Sequence, residues 1–245
     1  MAILVLVRHG RSTANAEGLL AGWTPGVSLD EKGHEQAARV GRRLTPTPLA
    51  AVVTSPLDRC RQTAAALVAA QPRQVAEHTD HQLGECRYGA WTGRPLKDLA
   101  QEPLWREIQD HPSTVTFPSH DDYPTESIGA MQGRAVRAVR AWDDRVEAQH
   151  GPGAIWVAVS HGDVIKSLVA DALASPLDTF QRIVIDPASV TIVRYGRDRP
   201  FVLRVNDTGS DPVDLTALSA TLARDASPDG GPTGDAALGG GAGSD

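Results

Sequence analysis

Lysine is scarce in this sequence, with 3 against 21 arginines, and cysteine occurs only twice. Two cysteines, Cys60 and Cys86, cannot staple a chain of 245 residues, and they lack metal-site spacing. Each directly follows a residue assigned below to the site; buried, inert thiols fit them better than a redox switch. No apolar run approaches the roughly 20 residues that span a bilayer. The stretch 2–7 is too short, and too soon followed by Arg8, to be a signal-peptide core, so the cytoplasm is the expected location. Charge of one sign is also missing once the ends are separated. The chain sums to −6, yet residues 206–245 hold seven Asp, no Glu and one Arg, which leaves the first 205 neutral. That excludes a basic nucleic-acid surface and assigns the acidity to a tail. The excess of arginine over lysine is a compositional bias, so any argument from an arginine must rest on its position.

What is present is an alternation of short apolar runs and helical periods. Residues 3–7 form a continuous apolar segment suited to a strand buried on both faces. After a Gly/Pro-rich loop at 22–26, Ala37, Val40, Gly41 and Leu44 mark a helix over 30–44, and 50–54 is a second β run. Ser55-Pro56 reads as a helix start, with Leu57, Cys60, Ala64 and Leu67 on one side of the helix. Residues 75–78 form a weaker strand. Residues 87–126 read as an irregular, lid-like excursion carrying Trp91, Trp105, Phe117 and Tyr123. A long amphipathic helix follows over 127–150, with Ile128, Met131, Ala135, Val139, Trp142 and Val146 as its buried stripe. Residues 155–159 are the next buried strand and 163–173 a helix; 182–185, 190–195 and 201–205 read as closing strands, the last two joined by a turn at 196–200. The expected organisation is one domain over 1–205 and an acidic Gly/Asp-rich tail over 206–245, largely disordered. There are no internal repeats.

This order predicts an α/β fold: a three-layer sandwich with a mostly parallel central sheet and helices on both faces. Ligands bind outside the carboxyl ends of the strands in such sheets. Three buried strands end in polar signatures here: Arg8-His9-Gly10, then Ser55 with Arg59 just beyond it, then Ser160-His161-Gly162. A lone histidine at a strand end is usually structural. Two histidines and two arginines converging at neighbouring strand ends point instead to an anion, and planar guanidinium forks suit phosphate oxygens.

The segment Arg8-His9-Gly10-Arg11-Ser12-Thr13-Ala14-Asn15 resembles the signature of the histidine phosphatase superfamily, which also contains the cofactor-dependent phosphoglycerate mutases. The resemblance continues through Ser55-Pro56-Leu57-Asp58-Arg59-Cys60-Arg61-Gln62-Thr63-Ala64, Leu83-Gly84-Glu85-Cys86-Arg87-Tyr88-Gly89-Ala90-Trp91-Thr92-Gly93 and Val159-Ser160-His161-Gly162. Four motifs in order cover residues 2 to 205, a far stronger signal than one Arg-His-Gly. The resemblance implies a phosphoglycerate mutase-like fold. It implies that His9 is a nucleophile forming a phosphohistidine, that Arg8 and Arg59 hold the phosphoryl oxygens, and that Asn15 adds a neutral donor. It implies that His161, when protonated, is a charge-assisted donor, and that Glu85 is the acid, its pKa raised by an apolar setting that Tyr88 and Trp91 would supply. Ser12 and Gly162 complete the expected phosphate cradle. No metal and no cofactor are implied, because cationic side chains do the neutralising.

The expected activity is hydrolysis of a small-molecule phosphomonoester, with no nucleic-acid or membrane partner; nothing in the pattern speaks to oligomeric state. The mutases usually carry Trp before the signature Asn, where this chain has Ala14, and the segment after Trp91 is short, as in the phosphatases. The alternatives are a phosphoglycerate-mutase-type phosphotransferase and a non-catalytic phosphate-binding module. Residues 77–81 and His120-Asp121-Asp122 read as solvated loops and not metal sites. Arg11 and Arg61 read as surface groups. Pro124-Thr125-Glu126-Ser127 resembles a Gly-Glu-Ser stretch of family phosphatases with Thr125 in place of Gly.

Overall fold

The computed structural model describes residues 2–196 and 198–209. Its elements in chain order are β1 (Ile3–Arg8), α1 (Thr13–Glu17), α2 (Glu31–Leu44), β2 (Leu49–Thr54), α3 (Asp58–Ala69), β3 (Ala76–Thr79), α4 (Leu96–Leu99), α5 (Pro103–Asp110), α6 (Ile128–His150), β4 (Ile155–Ser160), α7 (Gly162–Ala172), β5 (Val190–Tyr195) and β6 (Pro200–Asp207). The strands form one sheet in the order β3-β2-β4-β1-β5-β6. The first four in that order run parallel, and β5 and β6 are added antiparallel at one end.

Strand alternation divides the core. Leu4, Leu6, Val53, Trp156 and Ala158 face one side of the sheet, where α6 and α7 cover them. Val5, Val7, Val52, Val157 and Val159 face the other side, packed against Val40 of α2 and Cys60, Ala64 and Leu67 of α3. This is the three-layer α/β arrangement that the alternating pattern implied, and β1, β2 and β4, buried on both faces, are the runs with no polar alternation. Capping sets the helix ends: Asp30 accepts from Gly33 N at the start of α2, and Ser127 accepts from Ala130 N at the start of α6.

Four expectations differ from the structure. The helix after β2 starts at Asp58, not at Ser55-Pro56; Ser55 Oγ accepts from Leu57 N at 3.4 Å in the turn before it and lies 2.8 Å from His161 Nε2. Residues 182–185 do not form a strand. A 3-10 turn, Leu177–Arg182, leads into an extended segment whose Ile185 carbonyl accepts from Arg8 instead of from a neighbouring strand. The excursion over 87–126 is partly helical, and most of its aromatics are core: Tyr88, Trp91 and Phe117 are each about 1% exposed, with Trp105 packed beside Trp91, whereas Tyr123 is half-buried beside His120. Strand β6 continues to Asp207, past the boundary expected at 205, and the rest of the acidic tail, 210–245, lies outside the described residues. No helix among the described residues is long and apolar enough to cross a membrane.

Candidate active site

The adjacent strands β2, β4 and β1 end at the same level. His9 N donates to Ser160 O, and Ser55 N donates to Val159 O, so the residues following each strand are locked side by side. The turn after β1 is held from two more directions. Gly10 N donates to Thr63 Oγ1 of α3, and the backbone of Gly33 in α2 packs so closely that a Cβ on Gly10 would strike its carbonyl oxygen. At the same level, Ala188 N donates to the carbonyls of Arg8 and His9.

His9 is 2% exposed, and its Nδ1 lies 2.7 Å from Gly10 O. A carbonyl only accepts, so Nδ1 carries the hydrogen and Nε2 keeps the lone pair. Arg59 only donates; its Nε points at His9 Nε2 at 3.3 Å, while its Nη2 reaches Gly22 O at 2.9 Å and His161 Nδ1 at 3.3 Å. His161 therefore accepts on Nδ1 and donates from Nε2 to Ser55 Oγ at 2.8 Å. Burial, then the charges of Arg59 and Arg8, hold His9 well below the usual imidazole range. His161 is pushed down in the same way, by burial first and then by Arg59. Both rings are neutral. In this arrangement His161 is an acceptor toward Arg59 and a donor to Ser55.

Glu85 reaches the same centre from the loop before Tyr88. Its Oε1 accepts from Cys86 N at 2.9 Å, and its Oε2 is 3.7 Å from His161 Nδ1. Burial and the nearby Asp163 charge push its carboxyl up to about 7 against the opposing pull of Arg59, the Cys86 N–H and Arg8. The loop is clamped from outside. Its carbonyl accepts from Trp23 Nε1 at 2.7 Å and from Arg134 Nη2 at 3.0 Å. Arg134, 6% exposed, also pairs with Glu126 Oε1 at 2.6 Å, so Glu126 serves as a brace for this loop.

Of the expected residues, His9, Ser12, Asn15, Arg59 and Glu85 line one narrow cleft together with Tyr88. Arg8, His161 and Gly162 are packed behind it, all buried. Arg8 donates to Ile185 O at 2.7 Å; burial lowers its pKa to about 10, which leaves it charged at neutral pH. Ser12 is committed to capping α1: its hydroxyl donates to Asn15 Oδ1 and accepts from Asn15 N. That fixes the Asn15 oxygen and leaves the amide nitrogen as its donor. Trp91 stands away from Glu85, donating to Glu102 at 2.9 Å, so of the two expected aromatic neighbours only Tyr88 shares the cleft. Arg11 pairs with Asp30, and Arg61 is exposed.

Sequence reasoning missed Ser55 as the seat of His161, the Trp23 and Arg134 clamps, and Asp163, whose carboxylate accepts from Tyr88 OH at 2.8 Å. Two signals for them exist in the sequence. Asp163 directly follows Ser160-His161-Gly162, and Arg134 is a charge one turn from Met131 on the buried stripe of α6.

The model of the histidine phosphatase superfamily (branch 1) matches residues 4–208. The chain belongs to the histidine phosphatase superfamily. Its relatives in that superfamily include a 2,3-bisphosphoglycerate-dependent phosphoglycerate mutase of Thermobifida fusca, 30% identical over 91% of this chain and 97% of that one. An adenosylcobalamin/alpha-ribazole phosphatase of Salmonella typhimurium is 31% identical over 71% of this chain and 80% of that one. Among solved structures, Bacillus stearothermophilus YhfR superposes with a TM-score of 0.74 at 30% identity, covering 84% of this chain and 98% of that one. Histidine phosphatase relatives of both activities thus stand at similar distances, which establishes the superfamily and leaves hydrolysis or transfer to the chemistry of the site.

Proposed function

We propose that this protein is a metal-independent phosphomonoesterase that acts on a small organic phosphate through a phosphohistidine at His9. The observation that carries this reading is the pairing, in one cleft, of a neutral His9 whose Nε2 lone pair faces Arg59 with a buried Glu85 that titrates near 7. A neutral imidazole is a competent nucleophile, and a carboxyl with that pKa serves as acid and then as base at one pH. His9 Nε2 attacks phosphorus in line while the ester P–O bond breaks. Glu85 gives its proton to the departing alkoxide. Water then attacks the phosphohistidine, Glu85 takes a proton from it, and inorganic phosphate leaves with His9 restored. Arg59 and Asn15 hold the phosphoryl oxygens, and Arg8 adds positive charge from behind, so the charge developing in the transition state is met by fixed donors. An arriving phosphoryl dianion draws Arg59 off His161 and favours proton uptake by that ring.

The second reading, a phosphoglycerate-mutase-type transferase, is favoured by the Thermobifida fusca relative. Turnover of an aryl phosphate in the presence of a chelator separates the two. Chelator-resistant hydrolysis that disappears in His9→Ala supports the phosphatase. Silence there, with phosphoglycerate interconversion on adding a bisphosphate primer, replaces it with the mutase.

A further inference from the structure

The Gly/Pro-rich loop at 22–26 meets the site with two adjacent residues. Gly22 O accepts from Arg59 Nη2 at 2.9 Å, and Trp23 Nε1 donates to Glu85 O at 2.7 Å. A single peptide unit thus joins a partner of the guanidinium assigned to phosphate to a partner of the segment that carries the acid. Both contacts are built in. Gly22 sits at φ +48°, and a Cβ there would meet Tyr88 Cδ2 at 3.0 Å and Thr92 Oγ1 at 3.1 Å, so glycine lets the loop lie this close. The indole packs against three further positions of the acid segment. Its ring stacks on His81 with 6.5 Å between centroids, Arg87 Cζ lies 5.8 Å from its centroid, and a Cβ at Gly84 would strike its Cζ2. The loop is anchored in turn: Leu20 N donates to Arg94 O at 2.9 Å, and Gly93 N to Leu20 O at 2.7 Å.

We infer that Trp23 is a positioning residue for the acid: its indole N–H sets where the Glu85 carboxyl stands relative to the phosphoryl group that Arg59 holds. The inference rests on the phosphatase reading and adds to it a residue that acts only through Glu85. Gly22 and Glu85 line the cleft and Trp23 does not, so its part is to hold and not to react. A general acid works only within hydrogen-bond reach of the departing oxygen, and a small displacement there costs orders of magnitude in rate. Without the indole donor, Arg134 Nη2 still grips the Glu85 carbonyl, so the acid is loosened and not released.

The test uses Trp23→Phe, which keeps a ring beside His81 and Arg87 and removes the donor, and Trp23→Met, which fills the space without a ring. Trp23 is half-buried, and thermal unfolding checks that each variant folds. In the full chain, kcat/KM is compared for benzyl phosphate, whose alkoxide needs a proton to leave, and 4-nitrophenyl phosphate, whose phenolate leaves without one. That parameter covers binding and transfer to His9, the steps in which Glu85 serves the leaving group alone. The expected result is a fall of about tenfold in the benzyl-to-nitrophenyl ratio for both variants. In a Glu85→Gln background, Trp23→Phe should lower the ratio no further. An unchanged ratio, whether both esters lose equally or neither does, overturns the inference and leaves the phosphatase intact, with the indole as packing alone. A further fall in the Glu85→Gln background also overturns it, because Trp23 would then act by another route. Turnover of neither ester by the native chain removes the phosphatase reading itself, and the inference with it.

Discussion

At pH 7 Glu85 stands near its own midpoint, because burial and Asp163 lift its carboxyl to about 7 against the pull of Arg59. Its proton is present below that value and lost as pH rises through it, whereas His9 stays neutral well below the ordinary imidazole range. The kcat/KM profile for an alkyl ester should accordingly fall on the basic side from about pH 7. Glu85→Gln should lower kcat by about 10²–10⁴-fold and remove that limb, since an amide neither gives nor takes the proton. A retained limb would place the acid elsewhere. The same shift acts on stability: the folded state holds this proton more tightly than the unfolded chain. Stability therefore drops as pH rises from the ordinary 4.5 to about 7, and urea midpoints of Glu85→Gln should be flatter across that window. Arg59 carries a second prediction. Its planar fork touches His9, His161 and Gly22 at once, which a lysine ammonium cannot do, so Arg59→Lys should cost roughly 100-fold or more in kcat despite the conserved charge.

At the scale of elements, α6 braces the acid loop through one buried ion pair. Arg134→Met leaves Glu126 charged and buried with the Arg87 N–H but without its ion-pair partner, which should cost about 3–5 kcal/mol by urea denaturation. Adding Glu126→Leu should recover much of that stability without restoring kcat, because the Glu85 carbonyl keeps its Trp23 donor but not its Arg134 donor; recovery of both would make the pair purely structural. Helix α2 is seated as tightly: a Cβ at Gly33 would land on the Arg11 carbonyl oxygen, so Gly33→Ala should push α2 off the His9 turn, at about 1–3 kcal/mol and with a matching loss of kcat. The elements themselves differed in how plainly the sequence announced them. Strands β1, β2 and β4 were legible because burial on both faces leaves an unbroken apolar run, and α6 because Ile128, Met131, Ala135 and Val139 keep a helical period. Segment 182–185 has the composition of a strand but spends a carbonyl on Arg8, and Ser55-Pro56 has the composition of a helix start but its Oγ is shared between Leu57 N and His161. In both places a distant partner overrode a local preference, which no local pattern records.

Across the whole molecule, the cluster of His9, Arg59, His161 and Glu85 was legible because three motifs mark strand ends that a parallel sheet brings to one edge, and a fourth, on the loop carrying Glu85, resembles the family's acid motif. What stayed hidden was how the cluster is held and what it faces. Trp23, Arg134 and Asp163 act through contacts between segments far apart in the chain, and Trp91 and Phe117 of the expected lid are core, while Tyr88 lines the cleft beside Leu19, Leu20 and Leu96. Every residue given a part in the chemistry lies between Arg8 and Asp163, so a chain ended after Gly209 should keep the kcat/KM of the full chain; a large loss would give residues 210–245 a role in catalysis. The central claim is that His9 carries the phosphoryl group, and the most direct test is the mass of enzyme quenched in alkali during turnover. The account predicts one acid-labile phosphoryl group on the peptide containing His9, absent from His9→Ala and discharged to inorganic phosphate in water. A phosphoryl group on another residue, or undiminished turnover by His9→Ala, would contradict it.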